Sequence, residues 1–179
     1  MTPLIKFTTI IIYLRLIHDA KFFSIPQSVQ PYKFYWLAFI LGITFVFVQT
    51  PLNLIYNYIF DVSHHIFYSF EPSRLLSYST FSIILIVPIY EELFFRKFIQ
   101  HNLQQSLPPV LAIGWSSLLF ATIHLNFHTL FYDDIIWDFH HAYITFFGGI
   151  LLGILFYKSN SIGPSILMHA MWNLAYVIF

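Results

Sequence analysis

The sequence predicts an all-α polytopic membrane protein. Its body is a bundle of about five transmembrane helices, preceded by an N-terminal segment that is either interfacial or an extra span. Three observations lead there. Of 179 residues, 58% are hydrophobic and only 9% are charged, with a mean hydropathy of +0.72. Soluble domains carry about 25% charged residues, so a water-soluble fold with a large core does not account for this composition. The apolar runs are long and unbroken, whereas a membrane β-barrel alternates over segments of ~10 residues. Most charged residues lie between the runs, and the acids and bases separate onto opposite sides.

Residues 1–33 form a basic segment with Lys6, Arg15, Lys21 and Lys33 against Asp19. Its apolar run, 7–16, is too short to cross about 30 Å of hydrocarbon, which favours the interface, with a spanning helix over 7–23 as the alternative. Arg15, His18 and Asp19 follow that run where a signal peptide would carry small residues at a cleavage site. Residues 34–179 form the membrane-embedded core. The first span is expected over 35–56, interrupted by Pro51, and a polar segment with Asp61, His64, His65, Glu71 and Arg74 follows. The second span covers 80–99 and the third 110–127, separated by a short loop ending in Pro108-Pro109. An acidic loop with Asp133, Asp134 and Asp138 leads to a fourth span over 142–157. Its Gly149-Ile150-Leu151-Leu152-Gly153 is a pattern that lets a second helix approach closely. Ser161-Ile162-Gly163-Pro164 makes a turn, with Pro164 suited to the first turn of the last helix.

Lys6, Arg15, Lys21, Lys33, Lys97 and Lys158 fall on one side of this arrangement. Asp61, Glu71, Asp133, Asp134 and Asp138 fall on the other, with Arg74 as the one base there. Basic residues concentrate in cytoplasmic loops, so the N-terminus is expected inside and the C-terminus outside. The formal net charge is zero and no basic patch points to nucleic acid. Without cysteine there is no disulfide, thiolate metal site or cysteine nucleophile. The many aromatic residues, mostly Phe, are expected to face lipid and anchor the interface.

The second span is where polarity becomes costly. Glu91-Glu92-Leu93-Phe94-Phe95-Arg96 follows the apolar run 81–90, and a charge at the centre of a membrane helix costs about 2.5–3.5 kcal/mol on insertion scales. Glu92 and Arg96 are four apart in the favourable acid-first order, so they pair on one face. Glu91 points about 100° round the helix and is left to face something else. A carboxylate in such surroundings can be tuned toward proton transfer. Pro88, one turn earlier, removes a backbone hydrogen bond and opens or bends the helix. The third span contributes His124. The fifth contributes His169 and Asn173, four apart on one face. Each group alone also fits a structural role, as an ion-pair cluster, an interfacial histidine or an interhelical hydrogen bond. Together they make a water-activating set: Glu91 with a histidine deprotonates water, and His169 with Asn173 donates to an oxyanion. No serine or threonine is placed beside a base as a nucleophile.

At three motifs the sequence resembles the CPBP family, the CAAX proteases and bacteriocin-processing enzymes, also called Abi. Its pattern EExxxR, FxxxH and HxxxN, each on its own helix, reads here as Glu91–Arg96, Phe120-Ala121-Thr122-Ile123-His124 and His169-Ala170-Met171-Trp172-Asn173. The resemblance covers about residues 80–179, with the motifs in 91–173. It implies an intramembrane endopeptidase of the CAAX-prenyl endopeptidase type, acting on a small peptide or membrane-proximal protein tail within the lipid bilayer. Glu91 and His124 would activate water, His169 and Asn173 would form the oxyanion hole, and Glu92 and Arg96 would support Glu91. It further implies a multi-pass protein of a bacterial plasma membrane, with peptide processing or bacteriocin immunity as its role. No cofactor is required on this reading. Two alternatives stay open: a zinc protease using Glu91, His124 and His169 as ligands, and a non-catalytic immunity or peptide-binding protein. The remaining histidines, His64, His65, His101, His128, His140 and His141, sit at span ends or loops and read as interfacial.

Overall fold

The computed structural model describes residues 32–64, 69–125 and 138–179. The segment 1–31, which holds the expected interfacial run, lies outside the described residues, as do His65, His128, Asp133 and Asp134. Among the described residues the structure is helical without strands. Five apolar helices dominate: α1 (Lys33–Phe60), α2 (Tyr78–Leu103), α3 (Pro109–Thr122), α4 (Phe139–Ser159) and α5 (Ile162–Ile178). The protein is an integral membrane protein of the all-α class. Three of the helices, α1, α2 and α4, are long and apolar enough to cross a membrane, while α3 and α5 are shorter.

The third span therefore differs from expectation. The apolar run continues to residue 127, but the helix stops at Thr122. Its last turn tightens into i→i+3 bonds, with His124 N donating to Ala121 O at 3.0 Å and Leu125 N to Thr122 O at 3.1 Å. His124 thus sits in the turn beyond α3 rather than inside the helix.

Local chemistry sets the other boundaries. The side chains of Ser77, Asp138 and Ser161 cap the N-termini of α2, α4 and α5, each accepting from a backbone N–H two or three residues on. Pro164 does lie in the first turn of α5. At the far ends, α1 stops on Asp61 (φ 52°) and α4 on Asn160 (φ 50°), two residue types that tolerate the left-handed region. Short backbone bonds from Ser69 and Glu71 to the carbonyls of Phe179 and Ile178 tie the approach to α2 to the end of α5.

Within α2 two stretches, Ser82–Ile86 and Leu93–Gln100, adopt the wider π register, a distortion that favours functional sites. Pro88 explains the first. Val87 N–H reaches back five residues to Ser82 O, and the next donor in that register would be Pro88, which has no N–H. The carbonyl of Ile83 is thereby released, and the Asn173 side chain of α5 donates to it at 2.9 Å.

Glycines let the helices close on one another. A Cβ on Gly149 would stand 3.1 Å from Ser117 Cβ, and one on Gly153 would stand 2.8 Å from Gln100 Oε1 and 3.0 Å from Ile113 Cγ2. The Gly149–Gly153 pattern is thus the contact of α4 with α3 and α2. Gly148 lies under the Trp172 ring, and Gly42 brings α1 against the backbone of Met168. The aromatic residues are not only lipid-facing. Phe45, Phe95, Phe120 and Trp172 form the buried core, with Phe45 and Trp172 edge to face at 4.8 Å.

Gly153→Val should therefore overpack the α2–α4 contact and cost about 1–3 kcal/mol, lowering the unfolding temperature of the purified protein in detergent. Gly114 has nothing within 4 Å of an added Cβ. Gly114→Ala is expected to be neutral or mildly stabilising in the same measurement.

Candidate active site

A cavity of about 620 Å³ runs into the bundle from the end that holds the N-termini of α2 and α4. Glu91, His124, His169 and Asn173 all line it. Four polar residues predicted from three spans thus border one cavity, supplied by α2, the turn after α3, and α5. Phe120 stands between the two imidazoles, its ring centre 4.8 Å from that of His124 and 5.7 Å from that of His169. Phe120 is 1% exposed and spaces the two histidines rigidly.

The hydrogen bonds fix which nitrogen faces the cavity. His124 Nδ1 lies 2.8 Å from the Phe120 carbonyl, an acceptor only, so Nδ1 carries the proton and donates. Nε2 of a neutral His124 then keeps its lone pair. His169 is held from the other side, with Nδ1 donating to Glu92 Oε1 at 3.0 Å. Its Nε2 lies 3.8 Å from Glu91 Oε2, near enough for electrostatic contact and too far for a hydrogen bond. A ring carrying a proton on each nitrogen would also present an N–H at Nε2, on the side of Glu91.

Glu92 and Arg96 pair as the spacing predicted, Arg96 Nε to Glu92 Oε2 at 3.1 Å, both side chains 0% exposed. The second Glu92 oxygen reaches His169, so the pair also holds that ring. The chain continues away from the cavity. Arg96 Nη1 donates to Ser116 Oγ at 3.1 Å, Ser116 donates to the Phe95 carbonyl at 2.7 Å, and the guanidinium lies 5.4 Å from the centre of the Phe120 ring. Gln100, one turn beyond Arg96, donates to the Gly153 carbonyl at 2.9 Å.

Asn173 lines the cavity while its Nδ2 donates to the Ile83 carbonyl. An amide nitrogen carries two hydrogens, so one remains to point elsewhere. This bond makes Pro88 part of the site. By releasing Ile83 O, the proline supplies the acceptor that orients the asparagine.

Several contributors were not singled out from sequence. Ser116 read only as a small packing residue, and Gln100 was missed, although Glu92, Arg96 and Gln100 repeat at intervals of four. His140 and His141, expected to be interfacial, line the cavity. The His141 ring stands 5.1 Å from that of His124, and its backbone N–H is held by Asp138 at 2.8 Å. His64 stacks on His140 at 4.2 Å, and His140 in turn bonds Asn53 of α1. Arg74 and Asp138 bring the two charged groups at the mouth. Among the described residues no group of three His, Asp or Glu side chains converges as a metal ion requires.

The model of the family described as Rce1-like, type II CAAX prenyl endopeptidase, matches residues 73–175, more than half of the chain. The matched stretch contains α2 to α4, most of α5 and every motif residue named above. No curated protein and no solved structure matches.

The two acids should respond differently to loss of charge. Glu92→Gln strands the buried Arg96 and should destabilise the protein by about 3–5 kcal/mol. Glu91→Gln leaves the Glu92–Arg96 pair intact and should cost less than that. Thermal or denaturant unfolding of both variants in one detergent checks this order.

Proposed function

The chain belongs to the Rce1-like family of type II CAAX prenyl endopeptidases, and from that membership we propose that it hydrolyses peptide bonds inside the membrane with a water molecule activated by Glu91 and His124. The observation that carries this reading is the meeting of Glu91, His124, His169 and Asn173 on the wall of one cavity large enough for a few residues of peptide.

In the proposed reaction the scissile carbonyl lies against α5. Glu91 takes a proton from a water held between its carboxylate and His124 Nε2, and the hydroxide adds to the carbonyl carbon. The negative charge that develops on the carbonyl oxygen is met by an N–H of Asn173 Nδ2 and by the Nε2–H of a His169 ring that carries a proton on each nitrogen, the Nδ1–H being held by Glu92. Collapse of the tetrahedral species breaks the C–N bond as the proton that Glu91 took from the water passes to the departing nitrogen. One water is consumed, its oxygen ending in the new carboxylate. Glu92 and Arg96 keep His169 turned toward the oxyanion, and the Ile83 carbonyl does the same for Asn173. Every step uses the chain's own side chains, and no cofactor enters.

The substrate on this reading is a small peptide or the membrane-proximal tail of a protein, entering from the cavity mouth beside Arg74 and Asp138. The distribution of basic residues supports a cytoplasmic N-terminus, and on that reading the mouth opens on the opposite side of a bacterial plasma membrane. Peptide processing, including processing tied to bacteriocin immunity, is the class of biological output that fits.

Membranes containing the wild-type protein should accumulate cleaved peptides that are absent, or reduced by about 10²–10⁴, with Glu91→Gln, as expected for loss of a general base. Comparative mass spectrometry of the two membranes reads this out. Equal product from both would remove Glu91 from the chemistry. Asn173→Ala should cost about 10²–10³ in kcat, with KM little changed, as for loss of an oxyanion donor.

A further inference from the structure

Behind Glu92, on the side away from the cavity, α2 and the turn after it carry a polar stripe at every fourth position: Glu92, Arg96, Gln100 and Gln104. Arg96, Gln100 and, on α3, Ser117 are 0% exposed. Four atoms along this seam are buried without a hydrogen-bond partner: Arg96 Nη2, Gln100 Oε1, Gln104 Nε2 and Ser117 Oγ. Buried polar atoms are nearly always bonded to protein or to water, so several orphans along one seam call for a common explanation.

Three of them border the same contact of α2, α3 and α4. Arg96 Nη1 is bonded to Ser116, the neighbour of Ser117, which brings the guanidinium to that part of α3. Ser117 Cβ stands 3.1 Å from where a Gly149 Cβ would be, and Gln100 Oε1 stands 2.8 Å from where a Gly153 Cβ would be. Gly149 and Gly153 are four residues apart on one face of α4, about 6 Å along its axis. Ser117 and the glutamine oxygen therefore meet neighbouring turns of α4.

The chemistry of the three atoms selects the occupant. Arg96 Nη2 is a donor only. Gln100 Oε1 is an acceptor only, and its orientation is fixed because Nε2 donates to the Gly153 carbonyl. Ser117 Oγ can do either. A metal cation would be repelled by the guanidinium, and an anion would meet the negative end of the glutamine amide. Water both donates and accepts, and two to four polar partners are what a buried water needs.

We propose that a water molecule binds between Arg96, Gln100 and Ser117, bracing the guanidinium from behind and so positioning Glu92 and, through it, His169. The site itself follows from the buried atoms alone; only its kinetic consequence rests on the peptidase reading. Arg96 is held at Nε by Glu92 and at Nη1 by Ser116, and the water supplies the contact for Nη2.

A structure of the full chain in a lipid mesophase, at a resolution that shows buried waters, tests the site directly. Density is expected about 2.7–3.2 Å from Arg96 Nη2 and from at least one of Gln100 Oε1 and Ser117 Oγ. In Ser117→Ala that density should weaken or vanish. The kcat of this variant should fall about two- to tenfold with KM unchanged, the scale of one lost hydrogen bond. A dry seam in the wild type, with Arg96 Nη2 bonded directly to Gln100 Oε1, would overturn the proposal. So would a Ser117→Ala protein that lacks the water yet keeps Arg96, Glu92 and His169 in place with full kcat. Should the wild type hydrolyse no peptide, the density still decides the water site, and only the peptidase reading falls.

Discussion

The arrangement depends on one buried ion pair. Glu92 and Arg96 are both 0% exposed, and neither is tolerable alone in an apolar bundle. Removing one partner of such a pair leaves a buried charge that costs about 3–5 kcal/mol. The pair is also more than a mutual neutralisation. Glu92 turns one oxygen to Arg96 and the other to His169, while Arg96 turns Nη1 to Ser116 and lies over the face of Phe120. Three helices, α2, α3 and α5, are thus tied at one ion pair, and its charge-assisted bonds are stronger than neutral ones. Glu91, the next residue, is left on the cavity wall.

The bundle divides at this pair. On one side lies the cavity, with Glu91, both motif histidines and Asn173 on its wall. On the other lies the sealed seam of α2, α3 and α4, closed by Gly149 and Gly153 and threaded by Gln100. Distortion of α2 serves both halves. The π stretch Ser82–Ile86, with Pro88 after it, releases the Ile83 carbonyl for Asn173. A second π stretch, Leu93–Gln100, carries Arg96 and Gln100 into the seam. The irregular backbone at membrane depth is tolerated because it faces protein or the cavity.

Much of this was legible in the sequence. The apolar periods gave five helices, the acid-first spacing gave the Glu92–Arg96 pair, and Gly149–Gly153 gave a close helix contact. The three motifs gave the family that the match over 73–175 now shows. What was not legible has physical causes. The end of α3 at Thr122 depends on i→i+3 bonds that no hydropathy window registers, so His124 was placed inside a helix that stops short of it. The link from Glu92 to His169 joins residues 77 positions apart and needs three-dimensional packing to appear. His140 and His141 look like ordinary interfacial residues until α4 is laid beside α1 and the turn after α3. Ser116 carries a signal too generic for its role, since small residues at helix contacts mostly serve packing.

In the proposed reaction two adjacent acids divide the labour, Glu91 toward substrate and Glu92 toward His169. A structure with a peptidyl phosphonamidate, a mimic of the tetrahedral species, bound in the cavity tests this. One phosphoryl oxygen is expected within hydrogen-bond distance, about 2.7–3.1 Å, of both His169 Nε2 and Asn173 Nδ2. A second oxygen should lie beside Glu91 and His124, and Glu92 should stay bonded to His169 Nδ1 and Arg96. A bound phosphoryl group that contacts Glu92, or that leaves His169 and Asn173 without contact, would contradict this division of labour.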